Sequence, residues 1–365
     1  MFLRIDKLQI ELPRPAQADP ESAGVVQELM GGKFGEMSTV MNYMYQSFNM
    51  RGKSKIRPYY DLVANIAAEE IGHIELVANT INLLLDQTEA STDGVTPPLN
   101  FNGTTGNPDH FLNFGLGTIP GGAGGKAWTG ENIFNSGNLK LDLLHNFFLE
   151  SGARMGKIRV YESTQNPVAR EMIGYLIVRG GVHQEAYAKA LSDLSDVDVT
   201  KLLPVPEVDS DKFPDARKYI DKGFHRILYR FSPDDYRQIG EIWNGISAID
   251  GSDREVEDGP PEGGEVPDLE PAPPLYAPSV NAEDIEEMPG DCKGAGVENY
   301  TPTRNRECGT ARCHTPTSHP NLDGVRGAVM PTTCVTEEHL TLSILVRSRA
   351  ARIGSRREGY CFSKG

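Results

Sequence analysis

The run "AAEEIGHIELV", residues 67–77, sets three acids and a histidine into an otherwise apolar, helix-forming stretch. At about 100° per residue, Val63, Ile66, Ala67, Ile74, Val77, Ile81 and Leu84 share one side of a helix. Glu70 and His73 sit in the middle of that stripe, whereas Glu69 and Glu75 are expected to point well away from it. A carboxylate facing the core without a partner costs roughly several kcal/mol, so Glu70 needs compensation from another element. The same angular test finds one inward-facing group on each of three further helical runs. Glu36 shares a stripe with Val25, Leu29, Gly32, Val40 and Tyr43. Glu150 is flanked by Leu139, Leu143, Phe147 and Ala153, and His183 by Leu176, Ala186 and Ala190.

Three carboxylates and two imidazoles are the inventory of a bundle-embedded pair of divalent metals. Glu-x-x-His puts both ligands on adjacent turns of one helix face, and acids from facing helices neutralise the cations. Such ligands suit manganese or iron, and the absence of cysteine from this part of the chain speaks against a thiolate-rich zinc site. Taken singly, each residue has an ordinary reading. A lone Glu-x-x-His is usually a solvated pair, a core histidine is usually just hydrogen-bonded, Tyr43 is core, and Asn146 or Arg154 would serve to pair with Glu150. His145 and His225 show no partner and read as structural. The joint occurrence, one set per helix in order, is what points to metal.

Four helices must position this set. The pattern predicts the first over about residues 21–48 and the second over about 58–87, joined by the short "RGKSKIRP", which favours an antiparallel hairpin. A crossover rich in Gly, Thr, Asn and Pro spans 88–138. The third helix follows from Leu139 to about Glu162, and the fourth opens at Pro167 after a candidate Asn166 cap and ends near Leu194. Short link, long crossover, short link is the ferritin-like connectivity of a four-helix bundle. The expected fold is therefore an all-α core of that kind over 21–194, with irregular extensions at 1–20 and 195–288. "MFLRIDKLQIELP" alternates as a strand, "YRFSPDDYRQIGEIW" is expected to form a further helix, and 258–279 form a Pro-rich arm.

Composition bounds the function. A net charge of −15 argues against nucleic acid or an anionic membrane as partner, and no apolar run reaches transmembrane length. All five cysteines (Cys292, Cys308, Cys313, Cys334, Cys361) lie beyond residue 291, so the body suits a reducing cytoplasm.

Over residues 1 to about 288 the sequence resembles the manganese catalases, a ferritin-like family. The stretches that carry the resemblance are "MFLRIDKLQIELP", "GGKFGEMSTVMNYMYQSFN", "PYYDLVANIAAEEIGHIELVA", "SGNLKLDLLHNFFLE", "NPVAREMIGYLIVRGGVH" and "LYRFSPDDY". The resemblance implies disproportionation of hydrogen peroxide at a site of two manganese ions. Glu36 and His73 would hold one ion, Glu150 and His183 the other, with Glu70 bridging and Tyr43 hydrogen-bonding from the outer shell. It also implies a homo-oligomer, typically a hexamer, and, for part of the family, calcium, for which Asp61 is the candidate ligand. Two departures stand out. General ferritin-like di-iron proteins carry a second Glu-x-x-His on the fourth helix, where this chain has Gly180. Some catalases place an Arg before the third-helix Glu, where this chain has Leu149. The competing readings are a di-iron oxidase or ferroxidase on the same bundle and a non-enzymatic coat or structural protein that retains it. From about Pro289 the resemblance stops and composition changes, with every cysteine and the basic run "RSRAARIGSRR" beyond that point. A reading-frame shift or an acquired extension would produce such a tail, and it is expected to be dispensable and poorly ordered.

Overall fold

Each of three helix starts carries its own cap. Asp19, Asn138 and Asn166 accept hydrogen bonds from Ser22 N, Leu141 N and Val168 N, satisfying amides that the first turn leaves unpaired. Pro20 and Pro167 follow two of these caps, where a missing N–H costs nothing. The computed structural model describes residues 7–86 and 106–269. Its helices are α1 (Pro20–Gly31), α2 (Glu36–Asn49), α3 (Arg57–Leu85), a short α4 (Asp109–Leu112), α5 (Leu139–Ser163), α6 (Pro167–Ser195), α7 (Pro214–Asp221) and a short α8 (Ile239–Ile242). Strand β1 (Lys7–Leu8) runs antiparallel to β4 (Gly264–Glu265), and β2 (Ile227–Arg230) runs parallel to β3 (Glu255–Asp258). The α1–α2 arm, α3, α5 and α6 pack as the ferritin-like bundle, with the crossover between α3 and α5. The tail, the Pro-rich arm from residue 270, crossover residues 88–105 and the first six residues lie outside the described residues.

Three expectations change. The first helix is not continuous but breaks at "GKFG", with Gly32 capping α1 and Gly35 starting α2. The break admits the crossover: a Cβ on Gly31 would stand 2.6 Å from the backbone of Gly121, and Gln27 Nε2 donates to Ile119 O and Gly121 O. It also sets Glu36 in the first turn of α2, where the helix dipole favours a carboxylate. The expected N-terminal strand pairs, among the described residues, only over β1. The expected helix over 229–243 shrinks to α8 behind strand β2. Asn65 of α3 explains part of that change, because its side chain donates to Tyr229 O at 2.8 Å and accepts from Phe231 N at 2.9 Å, pairing the backbone as a neighbouring strand would.

The apolar core divides in two. One cluster gathers Leu76, Val77 and Ile81 with Val160, Tyr161 and the 168–178 half of α6. The other gathers Leu62, Val63 and Ile66 with Leu143, Phe147, Ala186 and Ala190. Between them every bundle helix contributes polar side chains, and none of Glu36, Glu70, His73, Glu150 or His183 is exposed to solvent.

Because Asn65 satisfies one buried and one partly buried backbone group, Asn65→Ala should destabilise the protein by about 2 kcal/mol, read as a lowered denaturant midpoint. An unchanged midpoint would show that β2 holds without it.

Candidate metal centre

The polar layer is ordered around Glu70. Its Oε2 lies 3.1 Å from His73 Nδ1 and its Oε1 lies 2.7 Å from His183 Nδ1, so one carboxylate spans both imidazoles. Outward from each ring stands a further acid: Glu36 Oε2 is 3.7 Å from His73 Nδ1, and Glu150 Oε1 is 3.6 Å from His183 Nδ1. The two rings stack with centroids 5.4 Å apart. All five expected ligands thus converge from α2, α3, α5 and α6. Among the described residues, ligand atoms of Glu70, His73 and His183 come within 4.8 Å of one another. Tyr43 Oη donates to Glu150 Oε1 at 2.7 Å, and Thr39 Oγ1 lies 2.9 Å from Glu70 Oε2.

The facing test was wrong about one residue. Glu69, expected to point away, has no solvent exposure. Its carboxylate meets Arg179 Nε at 2.5 Å and Nη2 at 3.0 Å, and its oxygens lie 3.2 Å from His183 Nε2 and 3.7 Å from His73 Nε2. A single-stripe argument assumes a helix buried on one face, whereas α3 is covered on several sides, by α6, by the N-terminal segment through Gln9 and by the β2 segment. Glu75 takes no part in this cluster and is only half-buried.

Sequence reasoning also missed Lys157. Its ammonium is buried and lies 3.0 Å from Glu36 Oε1. A Cβ on Gly180 would stand 3.2 Å from Lys157 Nζ and 3.8 Å from Glu150 Oε2, so the ammonium takes up room that a larger residue at 180 would need. The signal was present: Lys157 follows Glu150 by seven residues, two helical turns along the same face. The alternative partners of Glu150 are engaged elsewhere. Asn146 exchanges two hydrogen bonds with Gln46, and Arg154 donates to Ser210 Oγ and Val208 O. Leu149 packs into the apolar cluster. His145 packs against the Phe134 ring at a tilt, while His225, expected to lack a partner, has Nε2 3.1 Å from Asp250 Oδ2. Asp61 stands apart, buried with its carboxylate 3.4 Å from Arg57 Nε and accepting from Gln238 N; burial pushes its carboxyl up.

Electrostatics follow from this crowding. Burial alone would raise Glu70, but His73 and His183 outweigh it and hold the carboxyl well below the usual range. Burial opposes a charge on His73 too, yet Glu70, Glu36 and Glu69 raise it to about 10. His183 is raised well above its usual value, chiefly by Glu69 against burial. Burial raises Glu150, with help from the Glu70 charge, and it raises Tyr43 with help from Glu150. Lys157 is raised, because Glu36, Glu150 and Glu70 overcome its desolvation. Four carboxylates thus face two permanent cations, Lys157 and Arg179. Glu150 Oε2 is buried without a hydrogen-bond donor, and Glu36 Oε1 is faced by the Lys157 ammonium. That donor set and that charge deficit fit a pair of divalent cations held by oxygen and imidazole nitrogen.

A protein-family profile described as "Manganese containing catalase" matches residues 1–291. A manganese catalase of Bacillus subtilis is 33% identical over 267 residues, covering 72% of this chain and 92% of its own length. An uncharacterized Bacillus subtilis protein, YjqC, is 33% identical over 69% of this chain and 87% of its own. A manganese catalase of Lactiplantibacillus plantarum is 29% identical, covering 75% of this chain and 97% of its own. The solved structure of a manganese catalase from Anabaena, 22% identical, aligns over 64% of this chain and 92% of that one with a TM-score of 0.45.

The raised imidazoles give a pH dependence with a definite sign. Ligation needs neutral rings, and His73 keeps its proton up to about 10. Manganese uptake near pH 7.5 should therefore release about two protons per chain, and apparent affinity should rise with pH. Calorimetry in buffers of different ionisation enthalpy measures the release, and none at all would contradict the charge assignment. In metal-free protein the raised His73 stabilises fully below the unfolded value of about 6.5, and this contribution is lost as pH rises through about 10. Its thermal midpoint should fall over that window.

Proposed function

This chain belongs to the manganese-containing catalases, and on that premise we propose that its buried acid–imidazole layer holds two manganese ions and disproportionates hydrogen peroxide to water and dioxygen. The observation that carries the reading is the near-symmetric placement of Glu36 with His73 and of Glu150 with His183 on either side of Glu70. Each flanking pair would hold one ion and Glu70 would be shared.

The bound metal pair supplies two-electron redox chemistry, with one peroxide reduced and a second oxidised. The chain's own part is to exclude bulk water, hold the ligand carboxylates and keep protons within reach. Reduction of peroxide consumes two protons and oxidation of the second returns two, so groups that store protons inside the layer are useful. Lys157 Nζ beside Glu36, and the Glu150 carboxyl beside Tyr43 Oη, are the two such places. Both are sheltered between the apolar clusters, where proton exchange with solvent is slow.

The di-iron oxidase reading is less favoured, because Gly180 with the Lys157 ammonium stands where the second Glu-x-x-His would bring another carboxylate. A coat or structural role would leave the buried acids without purpose at considerable desolvation cost. Calcium takes six to eight oxygen ligands, and Asp61, already engaged by Arg57, belongs to no metal-binding group among the described residues. We therefore propose manganese alone. We also propose that the chain forms a homo-hexamer; the exposed Leu141, Leu144 and Phe148 on one face of α5, with Tyr45 and Phe48 at the end of α2, support self-association. No helix among the described residues is long and apolar enough to cross a membrane, and we place the activity in the cytoplasm.

Purified protein should contain about two manganese ions per chain and evolve oxygen from hydrogen peroxide. Glu70→Ala and His183→Ala should each abolish both manganese retention and oxygen release, whereas Glu75→Ala should leave both intact. Iron in place of manganese, with no oxygen evolved, would favour the di-iron alternative.

A chain ending at Met288 should retain metal content, oligomeric state and activity, in keeping with a family match that ends at residue 291. Light scattering and an oxygen electrode read the outcome, and loss of any of the three would give the tail a role.

A further inference from the structure

The most heavily engaged ion pair in the bundle lies behind the five ligands rather than among them. Glu69 and Arg179 are both fully buried. Each oxygen of Glu69 faces one guanidinium nitrogen and one imidazole: Oε1 meets Arg179 Nε at 2.5 Å and His73 Nε2 at 3.7 Å, and Oε2 meets Arg179 Nη2 at 3.0 Å and His183 Nε2 at 3.2 Å. The other acids make their nearest approach to the Nδ1 atoms instead. Both rings therefore stand between two acceptors, with Glu70 toward Nδ1 and Glu69 toward Nε2. A ring turned over about its Cβ–Cγ bond would present carbon to each acid in place of nitrogen. Both Nε2 atoms are buried without a well-aligned hydrogen bond, and the Glu69 carboxylate, 3.2 Å from His183 and 3.7 Å from His73, is the acid that faces each of them.

Glu69 is itself fixed from behind. Arg179 Nη1 donates to Phe224 O and to Ile227 O, each at 2.7 Å, and the guanidinium lies 4.9 Å from the Tyr229 ring centroid. The Glu69 backbone is held as well, because Gln9 Nε2 donates to Glu69 O and Tyr175 Oη donates to Gln9 Oε1. An ion pair serving only to tie α3 to α6 would not require both carboxylate oxygens to back onto ligand imidazoles. From this geometry we infer that Glu69 is a positioning residue that orients both His73 and His183 toward the metals, and that Arg179 ties its carboxylate to the 224–227 backbone. The packing of the C-terminal extension thereby sets the direction of the ligand nitrogens. The inference rests on the dimanganese reading above. It assigns to the extension a part in metal binding, although none of its own side chains is among the five ligands.

The test compares full-length wild type with Glu69→Gln, Glu69→Asp and the double variant Glu69→Gln/Arg179→Met. Manganese affinity, the EPR spectrum of the manganese-loaded protein and the thermal midpoint are measured for each. Partners that orient a ligand histidine typically contribute 10–100-fold in metal affinity. Glu69→Gln should weaken manganese binding by about that factor and change the EPR spectrum. The double variant removes the charge pair as a unit, so its thermal midpoint should recover toward wild type while manganese binding stays weak and the spectrum stays altered. That separation of stability from metal binding distinguishes positioning from mere scaffolding. Wild-type affinity with a wild-type spectrum in the double variant would overturn the inference. If the neutral variants do not fold, Glu69→Asp carries the same reading, since it keeps the charge opposite Arg179 but withdraws the carboxylate; wild-type affinity and spectrum there would overturn it equally. Wild type that binds no manganese would instead sink the functional reading.

Discussion

Four carboxylates, Glu36, Glu69, Glu70 and Glu150, share one solvent-free layer of the bundle, and their repulsion and desolvation are what the rest of the structure answers. Burying even one such group unpaired is costly, and burying four in contact is tolerable only with matched positive charge. Arg179 and Lys157 supply part of it permanently, and two imidazoles, raised by the surrounding acids, supply the remainder as protons. On the proposed function, metal binding would replace imidazolium protons in this layer with cation charge. Folding and metal chemistry are thus two aspects of the same electrostatic condition.

The division of the apolar core follows from the same condition. Each of the two apolar clusters draws side chains from α3, α5 and α6 together with the α1–α2 arm, through Ala23, Val26, Leu29 and Met30 in one and Tyr43 in the other, and the polar layer lies between them. Long helices make this arrangement possible, since α3 and α6, at 29 residues each, reach through both clusters and carry ligands at mid-length. Rigid mid-helix placement would suit the proposed metal site, which needs a fixed geometry. The short C-terminal elements, weak as independent structure, matter because they deliver two backbone carbonyls to Arg179 and lay a strand against Asn65. The break between α1 and α2 serves the opposite end of the layer, turning Glu36 into a first-turn residue.

Much of this was legible in the residues. Glu70 and His73 share a face because helix geometry brings i and i+3 together, and the cap at Asn166 announces where α6 begins. Hydrophobic spacing on each helix names Glu36, Glu150 and His183 as inward-facing, and the loop lengths give the bundle connectivity. What the residues could not reveal is how far around its circumference each helix is covered. Glu69 sits 100° from Glu70, off the stripe, and is buried because α6 and the β2 segment close over that side of α3. Lys157 lies on the face of Glu150, but a lysine two turns along is solvated on most helices, and only the glycine at position 180 on the facing helix makes room for it inside. The "GKFG" break is visible as two glycines, yet whether they bend or end the helix depends on the crossover backbone that packs against Gly31. Local periodicity is a property of one helix and is written in its sequence. Burial of the remaining faces belongs to the neighbours, and only the assembled fold decides it.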